Sequence, residues 1–135
     1  MIGALVGDVI GSVFEFESTK STNFDLFTSY SSYTDDSVMT LACAKAIMEK
    51  KDYGTCYREI GRNYPDCGYG SGFTKWMFSD TMGPYNSYGN GSAMRVSPIG
   101  FAFDNAEIVL EEAKKSAEVT HNHPEVSKVP RPQLL

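Results

Sequence analysis

The first helix is predicted by apolar residues that recur at the spacing of a single helix face. These positions are Ile2, Leu5, Val6, Val9, Ile10 and Val13. Glycine stands at every fourth position on another face, at Gly3, Gly7 and Gly11. Each glycine weakens a helix by up to about 1 kcal/mol relative to alanine, so such a row indicates close approach of a ligand or of another backbone. A ligand groove and a tight helix–helix contact both fit this pattern.

Two longer amphipathic helices follow in the sequence. One is predicted to begin near Asp35, and its buried side consists of Val38, Leu41, Ala42, Ile47 and Met48. The other is predicted to begin at Asp104, which forms an Asp-led capping box with Glu107. Its buried stripe consists of Ala106, Val109, Leu110, Ala113 and Ala117.

The remaining segments predict a short helix and several loops. Thr55–Asn63 is a short helix with Thr55 as a candidate cap, and residues 20–32 form an ordered loop. The segment from Gly83 to Phe103 passes from a turn into an apolar helical stretch that Pro98 interrupts or kinks. Because no pair of strands with a hairpin turn is found, the fold is predicted to be mainly α.

Composition narrows the class of protein. The 135 residues fit one domain, expected to span residues 1–125 with a loose tail at 126–135. The net charge of −5 argues against a nucleic-acid or membrane-surface binder. The three cysteines form no CxxC pair, and the apolar N-terminus contains Asp8 but no basic leader. A reduced, cytoplasmic setting is therefore expected.

Thr34, Asp35 and Asp36 place three oxygen-bearing side chains directly at the start of the second helix. Mg²⁺ prefers oxygen ligands, and the bend at a helix start brings neighbouring side chains together. The same residues are also ordinary capping chemistry, with an N-cap threonine and acids in the first turn. This stretch alone leaves both interpretations open.

Glycine-rich segments supply the second kind of candidate site. Gly89, Asn90, Gly91 and Ser92 precede a predicted helix start and can expose successive N–H groups to a phosphate, with Arg95 as a nearby cation. A tight turn with Ser92 as an N-cap also fits. Tyr69, within Gly68–Gly72, offers a flat face for a ring.

Two further segments carry groups that can transfer protons or bind ligands. Glu15 follows the first helix between Phe14 and Phe16, where it is either a general acid or base or a surface residue. His121 and His123 have no third residue at zinc-ligand spacing. Their segment is therefore either a plain loop or a ligand contact.

Five motifs, taken in sequence order, resemble those of the ADP-ribosylglycohydrolase family. They are GALVGDVIGSVFE, YTDDSVMTLA, GYGSG, YGNGSAMRVSPIG and THNHPE, and they extend from Ile2 to Glu125. The resemblance implies an all-helical bundle that removes ADP-ribose from modified side chains, or cleaves related ADP-ribosyl bonds, with a pair of Mg²⁺ ions. It also implies that the residues 34–36 both cap their helix and bind metal.

The resemblance implies a role for each candidate residue. Thr34, Asp35 and Asp36 would be metal ligands from the N-terminal half of the site, and Glu15 the acid beside the scissile bond. Gly89 to Ser92 would receive the diphosphate. Tyr69 would belong to the pocket loop, and His121 would lie on the substrate side.

The chain departs from the family pattern at its C-terminal side. Family members carry a second acidic motif, Asp-x-Asp-Ser/Thr, and none follows Glu125. We therefore expect a truncated bundle that holds Mg²⁺ weakly, has low or absent hydrolase activity, and self-associates through exposed apolar faces. The alternatives are a protein that binds ADP-ribose or a nucleotide without cleaving it, and a structural remnant.

Overall fold

The structure, a computed structural model, describes residues 1–123, and its regular elements in that range are all helices, with no strand. The predicted mainly α fold is therefore confirmed. The predicted tail at 126–135 lies outside the described residues. No helix within residues 1–123 is both long enough and apolar enough to traverse a bilayer.

Within the described range two long loops, at residues 15–34 and 79–90, interrupt a series of helices joined by shorter connections. A 3-10 turn at Ser12–Phe14 extends the first helix. The α-helices are α1 (Ile2–Gly11), α2 (Asp35–Glu49), α3 (Tyr53–Asn63), α4 (Ser71–Phe78), α5 (Gly91–Met94), α6 (Ser97–Ala102) and α7 (Ala106–Glu118).

The core is built around α2, which packs against α1, α3, α5 and α6. Small and flexible residues of α2 fill its buried side, among them Met39, Cys43 and Ala46. The prediction that Leu41 and Met48 are buried is wrong, since they are 48% and 82% exposed. The packed stripe of α2 passes through Met39, Cys43 and Ala46 instead, because those positions face the neighbouring helices.

Two predicted helix caps are also corrected. The cap of α3 is Asp52, whose Oδ2 accepts hydrogen bonds from the Thr55 backbone N–H at 2.7 Å and the Thr55 hydroxyl at 3.0 Å. The cap of α7 is Asn105 and not Asp104, because the Asn105 side chain accepts from Glu107 N at 2.8 Å. In both helices the capping oxygen comes from the residue directly before the first helical position, where it can reach the unpaired amides.

The middle of the chain contains more helix than its sequence pattern predicts. Residues 71–78 form α4, although they begin in a glycine-rich run. Pro98 stands in the first turn of α6, so it begins a new helix after α5 and does not kink a continuous one. A proline is favoured at this position because the first helical residues need no N–H donor.

The predicted apolar face of α1 is left largely unpacked. None of its residues is buried, and Ile2 is 75% exposed. A Cβ added at Gly3, Gly7 or Gly11 would meet no atom within 4 Å among the described residues, so they show no tight helix contact at this row. The stripe predicted for α7 is buried only in its second half, since Ala106 and Leu110 are exposed.

Gly61 marks a tight contact between α3 and α4, because a Cβ there would overlap the sulfur of Met77. We expect Gly61→Ala to lower the free energy of unfolding by about 1–3 kcal/mol, since the added methyl must displace packed side chains. Gly100→Ala is the matched control, because a Cβ on Gly100 meets open space and alanine favours a helix by about 0.4–1 kcal/mol. Urea unfolding measures both variants, and equal shifts for the two would contradict the packing described here.

Candidate functional site

A cleft of about 640 Å³ lies between the end of α1, the start of α2 and the start of α5. Glu15, Thr34, Asp35 and Asp36 all line it, as do Gly7 and Gly11 of α1. The structure thus brings together the predicted metal ligands and the predicted acid. Two of the three glycines in the α1 row, Gly7 and Gly11, thus lie at one wall of the cleft, where the ligand-groove interpretation would place them.

The capping role of Thr34 is confirmed. Its backbone is extended, and its hydroxyl accepts a hydrogen bond from Asp36 N at 3.3 Å. The first N–H of α2, on Asp35, donates to the Cys67 carbonyl at 2.8 Å, which holds the Gly68–Gly70 loop against the helix start. Gly68 has a φ of +90°, a conformation that a residue with a Cβ rarely adopts.

Asp8 is a member of this site that the sequence interpretation missed. Its carboxylate accepts hydrogen bonds from the Thr34 hydroxyl, the Thr34 backbone N–H and the Ser37 backbone N–H. The sequence did contain a signal for this role. Asp8 is an acid inside an apolar helix, and it stands seven positions before Glu15, which places the two on the same face.

The electrostatics of the cleft favour a cation. Burial, followed by the charges of Asp36, Glu15 and Asp8, raises the pKa of Asp35 to about 6. Burial, followed by the charges of Asp8 and Glu15, also raises the pKa of Asp36. None of the described residues that line the cleft is a lysine, arginine or histidine. The carboxylates therefore repel one another without a compensating positive charge.

No group of three or more His, Cys, Asp or Glu side chains among residues 1–123 is arranged to hold a metal ion. The oxygen donors at the cleft include the carboxylates of Asp8, Glu15, Asp35 and Asp36 and the hydroxyl of Thr34, with Asp35 and Asp36 half-buried. Such hard oxygen donors suit a divalent cation such as Mg²⁺, which also retains water ligands.

A second cavity of about 310 Å³ shares Asp35, Gly70, Asn90 and Met94 with the cleft. Gly89, Gly91 and His121 also line it. The Gly89–Ser92 segment predicted to bind an anion, here called the anion loop, therefore borders the predicted metal ligands. The Thr40 hydroxyl donates to the Met94 carbonyl at 3.2 Å, which ties α5 to α2. Ser92 is buried and lines neither cavity.

His121 holds the anion loop through a chain of hydrogen bonds. Arg95 Nη2 donates to Thr120 Oγ1 at 2.9 Å, and Thr120 Oγ1 lies 2.7 Å from His121 Nδ1. His121 Nε2 lies 2.9 Å from the Gly89 carbonyl. Because Thr120 can give its own proton to Nδ1, the consistent tautomer carries a proton on Nε2 and donates it to Gly89. Burial lowers the pKa of His121, so the ring is neutral at neutral pH.

Arg95 lies behind the anion loop and not in either cavity. Its side chain is completely buried, and its guanidinium carbon lies 4.4 Å from the centre of the Tyr57 ring. Nη2 also donates to the Ser116 carbonyl in the last turn of α7, where a helix favours positive charge. Arg95 was predicted as a cation near the anion loop, and in the structure its guanidinium is engaged by the core.

Tyr69 was predicted to offer the flat face of its ring to a ligand, but the structure packs this ring against another side chain. Its ring stacks on Phe73 with 5.3 Å between ring centres, and it lines neither cavity. The hydroxyl is buried and has no hydrogen-bond partner among the described residues. One face of the ring is thus already covered by the protein itself.

Comparison with known protein families finds a match over nearly the whole chain. The model of the ADP-ribosylglycohydrolase family matches residues 1–128. The chain belongs to this family. The ADP-ribosylglycohydrolase resemblance noted in the five motifs is thereby confirmed, together with the helical fold.

Several curated relatives match the chain at similar levels. ADP-ribosylhydrolase ARH3 of Xenopus tropicalis is 32% identical over 151 residues, which covers 90% of this chain and 43% of the relative. The human ARH3 is 31% identical over 156 residues and the mouse ARH3 30%, again covering 90% of this chain. The chain therefore spans about two-fifths of the length of these relatives, 42–43%.

Proposed function

We propose that the chain forms the N-terminal part of a Mg²⁺-dependent hydrolase that cleaves ADP-ribosyl bonds. The observation that carries this proposal is the convergence of Glu15, Asp35 and Asp36 on one cleft that adjoins the Gly89–Ser92 loop. Similarity to proteins named ADP-ribosylhydrolases supports the same bond type.

Each side chain has a role that its position allows. Thr34, Asp35 and Asp36 would hold the cation, which would supply a Lewis acid that binds and orients the ribose hydroxyls beside the scissile bond. The Gly89–Ser92 loop would bind the diphosphate through its backbone N–H groups. His121 keeps Gly89 in place, and Glu15 accepts or donates the proton at the scissile bond.

The test is isothermal titration of the 135-residue chain with ADP-ribose, with and without Mg²⁺, alongside release of ADP-ribose from a modified peptide. We expect Mg²⁺-dependent binding with little release, because the chain spans only 43% of the length of its relatives and no three His, Cys, Asp or Glu side chains among residues 1–123 are arranged to hold a metal tightly. Brisk release would contradict the expected low activity. Absence of ADP-ribose binding would contradict the proposed ligand.

We propose further that the chain self-associates and resides in the cytoplasm. Large apolar side chains are exposed, including Ile2, Phe101 and Met48, and burying them between copies would be favourable. The three cysteines are free thiols, as a reducing compartment allows. The net charge of −5 supports a partner other than a nucleic acid or a membrane surface. Sedimentation would show the association state.

A further inference from the structure

Asp8 makes more polar contacts to the start of α2 than any capping residue of the helix itself. Its Oδ1 lies 2.6 Å from the Thr34 hydroxyl, and its Oδ2 accepts from Thr34 N at 2.8 Å and Ser37 N at 3.2 Å. These bonds join residues 26 and 29 positions apart. Both oxygens of Asp8 are thus committed to α2.

The contact between Asp8 and the Thr34 hydroxyl fixes where the hydroxyl proton points. A carboxylate only accepts, so the proton of Thr34 lies towards Asp8 Oδ1. The Thr34 oxygen accepts from Asp36 N at 3.3 Å. A hydroxyl has two lone pairs, so one remains for a cation in the cleft.

The same contact also sets the distance between the acid and the metal ligands. Asp8 and Glu15 are seven residues apart, which places both on one face of the α1 segment and its 3-10 extension. By holding the backbone of Thr34 and Ser37, Asp8 fixes that face against the start of α2. Glu15 is thereby held at the cleft that Asp35 and Asp36 line.

We propose that Asp8 is a positioning residue that turns a lone pair of the Thr34 hydroxyl towards the cation site. This inference rests on the proposed metal-dependent function. Groups that orient metal ligands in this way typically contribute about 10- to 100-fold to metal affinity.

The test uses Mn²⁺, which takes oxygen ligands as Mg²⁺ does, and counts free ion by electron paramagnetic resonance. Asp8→Asn should weaken Mn²⁺ binding by about 10- to 100-fold. Its amide oxygen can accept from the backbone N–H groups, but the NH₂ group then faces Thr34 and turns the hydroxyl proton into the site.

Asp52→Asn is the matched control. Asp52 accepts a threonine hydroxyl and a backbone N–H at the start of α3, so its replacement breaks the same kind of contact at a helix start away from the cleft. Its Mn²⁺ affinity should stay within about twofold of the unsubstituted chain. An equal loss in both variants would show a general effect of helix capping and overturn the proposal.

A double-substitution cycle with Thr34→Val separates positioning from plain charge attraction. If Asp8 acts through the hydroxyl, Asp8→Asn should have little further effect once the hydroxyl is gone. An undiminished effect in the Thr34→Val background would mean that Asp8 acts by its charge and would overturn the proposal.

Two further results keep the outcomes distinct. If the unsubstituted chain binds Mn²⁺ and Asp8→Asn binds it equally, the positioning role is wrong while the metal function stands. If the unsubstituted chain binds no Mn²⁺, the proposed metal function fails and takes this inference with it.

Should Asp8→Asn not fold, the unsubstituted chain still provides a test, because the Thr34 hydroxyl proton should exchange slowly enough to be seen by NMR. Rapid exchange would overturn the positioning role.

Discussion

Replacement of both Asp35 and Asp36 by asparagine should remove the thermal stabilisation that Mg²⁺ gives to the chain. A ligand that binds only the folded state stabilises it by about 2.7 kcal/mol at one hundred times its dissociation constant. Neutral amides cannot replace two ionised carboxylates as ligands, so the shift in the unfolding midpoint should fall to near zero. Thermal unfolding with and without Mg²⁺ measures this shift.

The control for this experiment neutralises two acids outside the cleft. Glu107 and Glu111 are exposed on α7 and line neither cavity. Glu107→Gln with Glu111→Gln should leave the Mg²⁺ shift intact, although the change in net charge is the same. Loss of the shift in the control would mean that Mg²⁺ acts through general charge screening.

The pH dependence of the same site follows from the raised pKa of Asp35, about 6 in the folded chain against an ordinary 3.8. Protonated Asp35 contributes to the free energy of unfolding below about pH 4. This contribution is lost as pH rises through 6, because the folded state binds the proton more tightly than the unfolded state does. Because Asp35 is only half-buried and solvent screens its charge, we expect the free energy of unfolding to fall by about 1 kcal/mol over this pH range. Asp35→Asn should abolish it in metal-free solution. Mg²⁺ binding should instead strengthen as pH rises through 6.

Replacement of Arg95 by alanine should lower the free energy of unfolding by about 3 kcal/mol or more, enough to threaten folding of a marginally stable chain. The side chain is completely buried and packs on the Tyr57 ring. Alanine would leave a cavity and would strip the Ser116 carbonyl and the Thr120 hydroxyl of a donor.

Arg95→Met distinguishes packing from charge in this position. Methionine fills much of the same volume and removes a buried guanidinium that forms no ion pair within residues 1–123. Because methionine fills space that alanine leaves as a cavity, Arg95→Met should lose less stability than Arg95→Ala. Urea unfolding of the two variants decides the order. The reverse order would show that filling this space does not stabilise the fold and would contradict the packing role of Arg95.

Residues 34–36 could be predicted from the sequence because their chemistry is local. A threonine cap and two first-turn acids are recognisable within three positions, and the structure places all three at the cleft. The α1 and α2 helices were predicted for the same reason, since their periodicity is contained in one segment.

Long-range contacts explain what the sequence did not reveal. The role of Asp8 depends on hydrogen bonds that span 26 positions, and the direction of Arg95 depends on α7, more than 20 positions away. The unburied face of α1 depends on which other helices are present. Caps were misplaced at Thr55 and Asp104 because neighbouring polar residues offer equivalent oxygens, and only the backbone geometry selects one of them.

Paramagnetic broadening by Mn²⁺ in the NMR spectrum of the chain tests the central claim most directly. At substoichiometric Mn²⁺, the account predicts selective loss of backbone signals from Thr34, Asp35 and Asp36, together with Asp8 and Glu15 across the cleft. Broadening centred on the exposed acids of α7, with the signals of residues 34–36 unchanged, would contradict it.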